Sequence, residues 1–146
     1  MNSVIDSILR QIAVALNSEL TLEEDHAWLV PSATPELLLT LVWDEEGHHD
    51  ELTFSLALGR IDAEQSTSLA IELLTANLGM AVMNGPKLSY SPSTHQITLL
   101  ESVICRYGDE VFIGEMATLL VSAGAAIREK LLASGHSLVS FNQETN

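Results

Sequence analysis

The sequence predicts an α+β protein in which helices pack on an antiparallel, twisted sheet, the elements following one another as αβββαββα. Three observations predict it. Val4, Ile5, Ile8, Leu9, Ile12 and Leu16 repeat at helical spacing near the start, and a longer repeat of the same kind runs from Val111 to Leu131. Between them, Leu52, Phe54, Leu56 and Leu58 alternate with Thr53, Ser55, Ala57 and Gly59, a period of two that sets four large apolar side chains on one face of a strand. No internal repeat and no long linker divides the chain, so one domain over 1–136 is expected, followed by a polar tail over 137–146.

The first helix is expected over Ser3–Asn17, where Ser3 and Asp6 form a capping-box-like start. After the acidic turn Glu23-Glu24-Asp25, the short run Ala27–Val30 reads as a first strand closed by Pro31 and Pro35. Leu37–Trp43 is a second, followed by the polar connection Asp44–Glu51 and then the strand beginning at Leu52. Asp62 and Gln65 are placed to cap a second helix that carries Leu69, Leu73, Leu78 and Val82 as far as Met83, where Asn84-Gly85-Pro86 stops it. Lys87–Tyr90 and Gln96–Ile104 flank Ser91-Pro92-Ser93-Thr94 as a hairpin, and a last helix extends from Asp109 to Ser134 with Gly135 at its end.

Two of these elements carry more apolar surface than one small core absorbs. The second helix has Leu69, Leu73, Ala76 and Met80 on one side and Ile71, Leu74, Leu78 and Val82 elsewhere, so something must cover it all round. The second strand turns Leu37, Leu39, Leu41 and Trp43 to one face and Leu38 and Val42 to the other. Burial inside one subunit is one explanation of both elements; the reading adopted is a symmetric dimer through the helix and a partner chain on the strand.

Charge narrows the partners. The net charge is −14, from 20 acidic and 6 basic residues, which repels phosphate backbones and anionic membranes. Half of the carboxylates lie between Glu19 and Glu51, a stretch without Lys or Arg. One cysteine excludes an internal disulfide, and the N-terminus lacks the apolar core of a signal peptide; a cytoplasmic setting is the expectation.

Catalytic signatures are missing: no G-x-S-x-G, G-x-G-x-x-G, phosphate-cradling P-loop or H-E-x-x-H occurs. The expectation is a protein that is not an enzyme and needs no metal or cofactor. His48-His49 among five carboxylates reads as a solvated turn, since neighbouring strand residues point to opposite faces while structural zinc uses spaced ligands. Cys105 reads as a buried thiol, and His26, His95 and His136 read as surface or capping residues.

The block Leu73-Leu74-Thr75-Ala76-Asn77, Asn84-Gly85-Pro86-Lys87-Leu88-Ser89-Tyr90 and Gln96-Ile97-Thr98-Leu99-Leu100 resembles the central signature of the class I type III secretion chaperones, the family of the Tir chaperone. Length, acidity and element order extend the resemblance over nearly the whole chain. It implies a homodimer with Leu73, Ala76, Asn77, Met80, Ile97 and Leu99 near the twofold axis, Asn77 and Gly85 being structural. It further implies that the N-terminal segment of a secreted effector is held in extended form, ready for export, without catalysis or nucleotide. The run Gly79–Met83 is more apolar than in many relatives.

For client contact the surplus apolar residues nominate Leu20, Leu22, Trp28, Leu38, Val42 and Trp43, with the surrounding carboxylates steering a basic segment. The competing assignment is a regulatory or sensory module of the same fold that sequesters a protein partner outside secretion.

Overall fold

A computed structural model describes residues 3–43, 51–61, 66–106 and 108–140. The apolar stripe of the first helix, α1 (Ser3–Ala15), buries Val4, Ile5, Ile8, Leu9 and Ile12. Asn17 ends it in the left-handed conformation (φ 49°), and the N–H of Ser18 closes back on the carbonyl of Ala13. Four strands follow: β1 (Thr21–Leu22), β2 (His26–Leu29), β3 (Leu38–Trp43) and β4 (Glu51–Ile61). After α2 (Ser66–Val82) come the hairpin β5 (Lys87–Tyr90) and β6 (Gln96–Ile104), then α3 (Glu110–Ala133) and a final short strand β7 (Leu138–Val139).

The strands form one antiparallel sheet in the order β1-β2-β3-β4-β6-β5, with β7 paired to β4. The expected αβββαββα order is therefore present, with β1 and β7 added. Two-residue strands are too short for a periodicity to announce them. β7 also corrects the expected boundary at residue 136, because Leu138 and Ser140 are buried and the structured domain continues at least to residue 140. The expected caps Asp62 and Gln65 and the His48-His49 turn lie outside the described residues.

Helices cover one face of this sheet. Leu52, Phe54, Leu56 and Leu58 of β4 are wholly buried, together with Leu39, Leu41, Ile97 and Leu99 of its neighbours. Each such side chain contributes roughly 1.5–3 kcal/mol of transfer free energy. Close approach of α3 is made possible by two glycines: Gly114 faces Gln11 and Ala15 of α1, and Gly124 faces Leu56 and Leu58, where a β-carbon would overlap the Leu56 side chain. By length and composition alone α3 is long and apolar enough to cross a bilayer, yet it buries Ile113, Ala117, Leu120, Val121 and Leu131 within this core.

A register shift between Ala57 and Gly59 bulges β4 against β6. Gly59 has φ +140°, and a side chain there would press on the Val139 carbonyl (3.2 Å) and the Leu138 β-carbon (3.3 Å). Its absence lets β7 lie on the stretch of β4 edge that β3 leaves empty, so Arg60 pairs with Gln96 on one side and Val139 on the other. Gly135 (φ +95°) turns the chain out of α3, the N–H groups of Gly135 and His136 closing on the carbonyls of Leu132 and Leu131.

Candidate functional site

The second face of the sheet carries no helix among the described residues, and strand pairing fixes what it presents. Trp28 lies opposite Thr40, and Leu38 and Val42 are its diagonal neighbours on β3. Trp28 is 37% and Val42 43% exposed, with Leu38 half-buried. The same register continues through Thr53, Ser55 and Ala57 of β4 to Ser102, Leu100 and Thr98 of β6. A low strip of small side chains on β4 thus runs between Leu38 and Val42 on one flank and Leu100 and Ile104 on the other, Ile104 being exposed.

Of the six residues nominated for client contact, the structure brings Trp28, Leu38 and Val42 together on this open face. Leu22 pairs with Ala27 and so turns the other way, half-exposed at the sheet edge, and Leu20 packs partly against the core. Trp43 is corrected outright. It shares the inward register of Leu39 and Leu41 and is buried in the core, because a strand with apolar residues at both parities assigns its tryptophan to whichever face the helices cover. Leu100 and Ile104 were not singled out from the sequence. The run Ile97–Ile104 is apolar at both parities, and only its pairing with β4 separates the two faces.

The two ends of the sheet differ. At the β5 end, the Asn77 side chain of α2 donates from Nδ2 to the Leu88 carbonyl (2.9 Å) and accepts the Leu88 N–H at Oδ1 (2.6 Å), which occupies the outward-pointing groups of Leu88 in that edge strand. At the β1 end nothing comparable is present among the described residues. The Glu23 N–H donates to the His26 carbonyl (2.8 Å), making these two a hydrogen-bonded pair. By the alternation of an antiparallel ladder, the next pair, Leu22 with Ala27, turns the N–H and C=O of Leu22 away from β2. Glu19, Glu23, Glu24 and Asp25, all exposed, border this edge. The Asp25 carboxyl, hydrogen-bonded to the His26 ring at 2.8 Å, is held below the usual carboxylate range by that bond.

The six residues placed near a twofold axis, four on α2 and two on β6, face the interior of the subunit. Leu73, Ile97 and Leu99 are buried, Ala76 and Met80 pack partly against the core, and Asn77 is engaged with Leu88. The outer side of α2 is instead an exposed apolar stripe of Ile71, Leu74, Leu78 and Val82, each between 65% and 81% exposed. Beside it, a cavity of about 480 Å³ opens between α2, β5 and the end of α3, lined by Leu73, Ala76, Leu88, Ile127 and Leu131. His136, read as a surface or capping residue, is buried at the end of α3, where its N–H closes on the Leu131 carbonyl and its ring contacts Glu72 of α2 at 3.2 Å. Cys105 is buried, as expected. No group of three or more metal-ligating side chains gathers among the described residues.

No protein-family model matches this chain, and no curated protein matches it in sequence. Among solved structures, it is similar to a chain from the HopA1–SchA chaperone–effector complex, with a TM-score of 0.64 over 86% of this chain and 94% of that one. The two are 16% identical, so the likeness is one of fold. The fold they share is α+β, an open antiparallel sheet with helices.

Proposed function

We propose that this protein is a type III secretion chaperone of the bacterial cytoplasm. It holds the N-terminal segment of a secreted effector in extended form and keeps it export-competent, and it catalyses no reaction. The observation that carries this reading is the helix-free sheet face on which Trp28, Leu38 and Val42 converge, in a fold similar to that of a chain from a chaperone–effector complex.

The physics of holding an unfolded segment accounts for the surface. Ordering an extended client costs about 1–2 kcal/mol per residue, which scattered polar contacts do not offset. An open strand edge supplies main-chain hydrogen bonds, and large apolar side chains at alternate positions supply burial. Trp28 is the anchor: a rigid, amphipathic side chain buries much area for little lost rotamer freedom. A homodimer formed through the outer stripe of α2 presents two such faces, and one client engaging both gains from effective concentration without a new contact.

Co-expression with neighbouring open reading frames, followed by co-purification, tests the reading. The expected product is a complex containing twice the subunit mass by light scattering, in which the N-terminal part of the partner is protected from proteolysis. A monomer that retains no secreted protein would sink it.

A further inference from the structure

The N-terminal half of α2 stands between two cavities. One is the cavity of about 480 Å³ on the α3 side; the other, of about 510 Å³, is lined by Ile61, Thr67, Leu69 and Tyr90, and both reach Leu73. Protein interiors are ordinarily close-packed, and a segment with few buried apolar contacts opens at lower cost than the core around it. In this half Leu69 and Leu73 are buried, whereas Ile71 and Leu74 are exposed. Burial therefore holds it less firmly than α1, which seats Val4, Ile5, Ile8, Leu9 and Ile12.

Polar bonds set the limits of this half. At its end the Thr75 hydroxyl donates to the Ile71 carbonyl (2.8 Å), a back-bond that competes with the helical ladder and eases bending at that point. Immediately beyond, Asn77 is fixed to Leu88 by its two bonds, so the remainder of α2 stays on β5. Within the half, Glu72 accepts from Nε2 of His136 at 3.2 Å. The far side of that bond is itself anchored. His136 is buried with its N–H on the Leu131 carbonyl, Leu138 is buried two residues on, and β7 pairs with Arg60 and Ile61 of β4.

We propose that the N-terminal half of α2 is a gate that swings about Thr75, and that the His136–Glu72 bond is its latch, held from the C-terminal strand. Opening joins the two cavities and uncovers Leu69 and Leu73, while the Asn77–Leu88 bonds keep the rest of the helix in place. Such a motion belongs to the subunit itself and requires no client.

Hydrogen–deuterium exchange of the full chain, read by mass spectrometry at one protein concentration throughout, tests the gate. Glu72→Ala removes the acceptor at a partly exposed position. It is expected to speed exchange of the Ala70–Thr75 amides at least about fivefold, with the amides of Met80–Val82, α1 and α3 unchanged. Glu72→Gln keeps a carbonyl that accepts the His136 N–H and is expected to return exchange close to that of the parent chain. Acceleration spread over the whole chain would make Glu72 a general stabilising contact and overturns the gate. So does an absence of acceleration, or one that runs on through Met80–Val82. A Gln variant that exchanges like the Ala variant overturns the latch.

Discussion

Arg128 reaches from α3 to the bulge of β4, its Nη1 donating to the carbonyl of Leu58 at 3.2 Å. That residue is the extra one in the strand, where the pairing with β6 shifts register between Ala57 and Gly59. The guanidinium thus replaces a ladder hydrogen bond that the bulge removes. Arg128→Met keeps most of the stem and deletes the donor. Urea denaturation is expected to show a loss of about 1–3 kcal/mol with an unchanged slope, the range for a part-buried group left without its partner. Unaltered stability would mean that water satisfies the carbonyl as well.

The pair of bonds between Asn77 and Leu88 makes a second, sharper case, since one carboxamide serves as donor and acceptor at once. Asn77→Leu is expected to cost about 2 kcal/mol and to reopen the β5 edge, seen as concentration-dependent association in sedimentation. Asn77→Asp retains an acceptor for the Leu88 N–H but sets a carboxylate oxygen against the Leu88 carbonyl. It is therefore expected to destabilise as well, at neutral pH more than in acid, where a protonated carboxyl regains a donor.

These two contacts mark where sequence reasoning stops. The period-two run Leu52–Leu58 and the helical stripes of α1 and α3 were legible because each has one covered face, and burial follows the pattern they set. Trp43 and Trp28 were not separable, because β3 is apolar at both parities and the chain offers no local signal for which side the helices take. The same limit applied to α2. Its apolar residues circle the cylinder, so the motif block drew attention to Leu73, Ala76 and Met80 on the inner side, while the exposed stripe is Ile71, Leu74, Leu78 and Val82. β1 and β7 depend on pairing partners far away in sequence or on a turn of two residues, which no window of periodicity contains.

Acid titration has a clear direction at the β1–β2 turn. The His26 ring hydrogen-bonds the Asp25 carboxylate, which lowers the carboxyl pKa from its ordinary value. A depressed carboxyl favours the folded turn above the ordinary carboxylate range, and that preference disappears as pH falls through the lowered value. The group is fully exposed, so global stability is expected to change little. Carboxyl-carbon NMR is the direct measurement: the Asp25 midpoint is expected below that of a model aspartate and moves back up in His26→Ala. An Asp25 midpoint unaffected by that substitution would contradict the assigned cause.

The two tryptophans separate folding from holding. Trp43 lies in the core at 6% exposure, so Trp43→Ala leaves a cavity and is expected to cost about 3–5 kcal/mol. Trp28, on the open face between Leu38 and Val42, loses far less support when truncated, and Trp28→Ser is expected to cost about 1–2 kcal/mol of stability. Client affinity is expected to rank the other way once unfolded protein is discounted. Trp28→Ser removes the anchor of the open face and weakens binding by at least about 2 kcal/mol, roughly thirtyfold, whereas the Trp43 variant binds in proportion to its folded fraction. Denaturation curves paired with isothermal titration of the co-purified client give both quantities on the same samples. A Trp28 variant that binds like the parent chain would move the client off this face, because no other tryptophan is exposed among the described residues to take over the role.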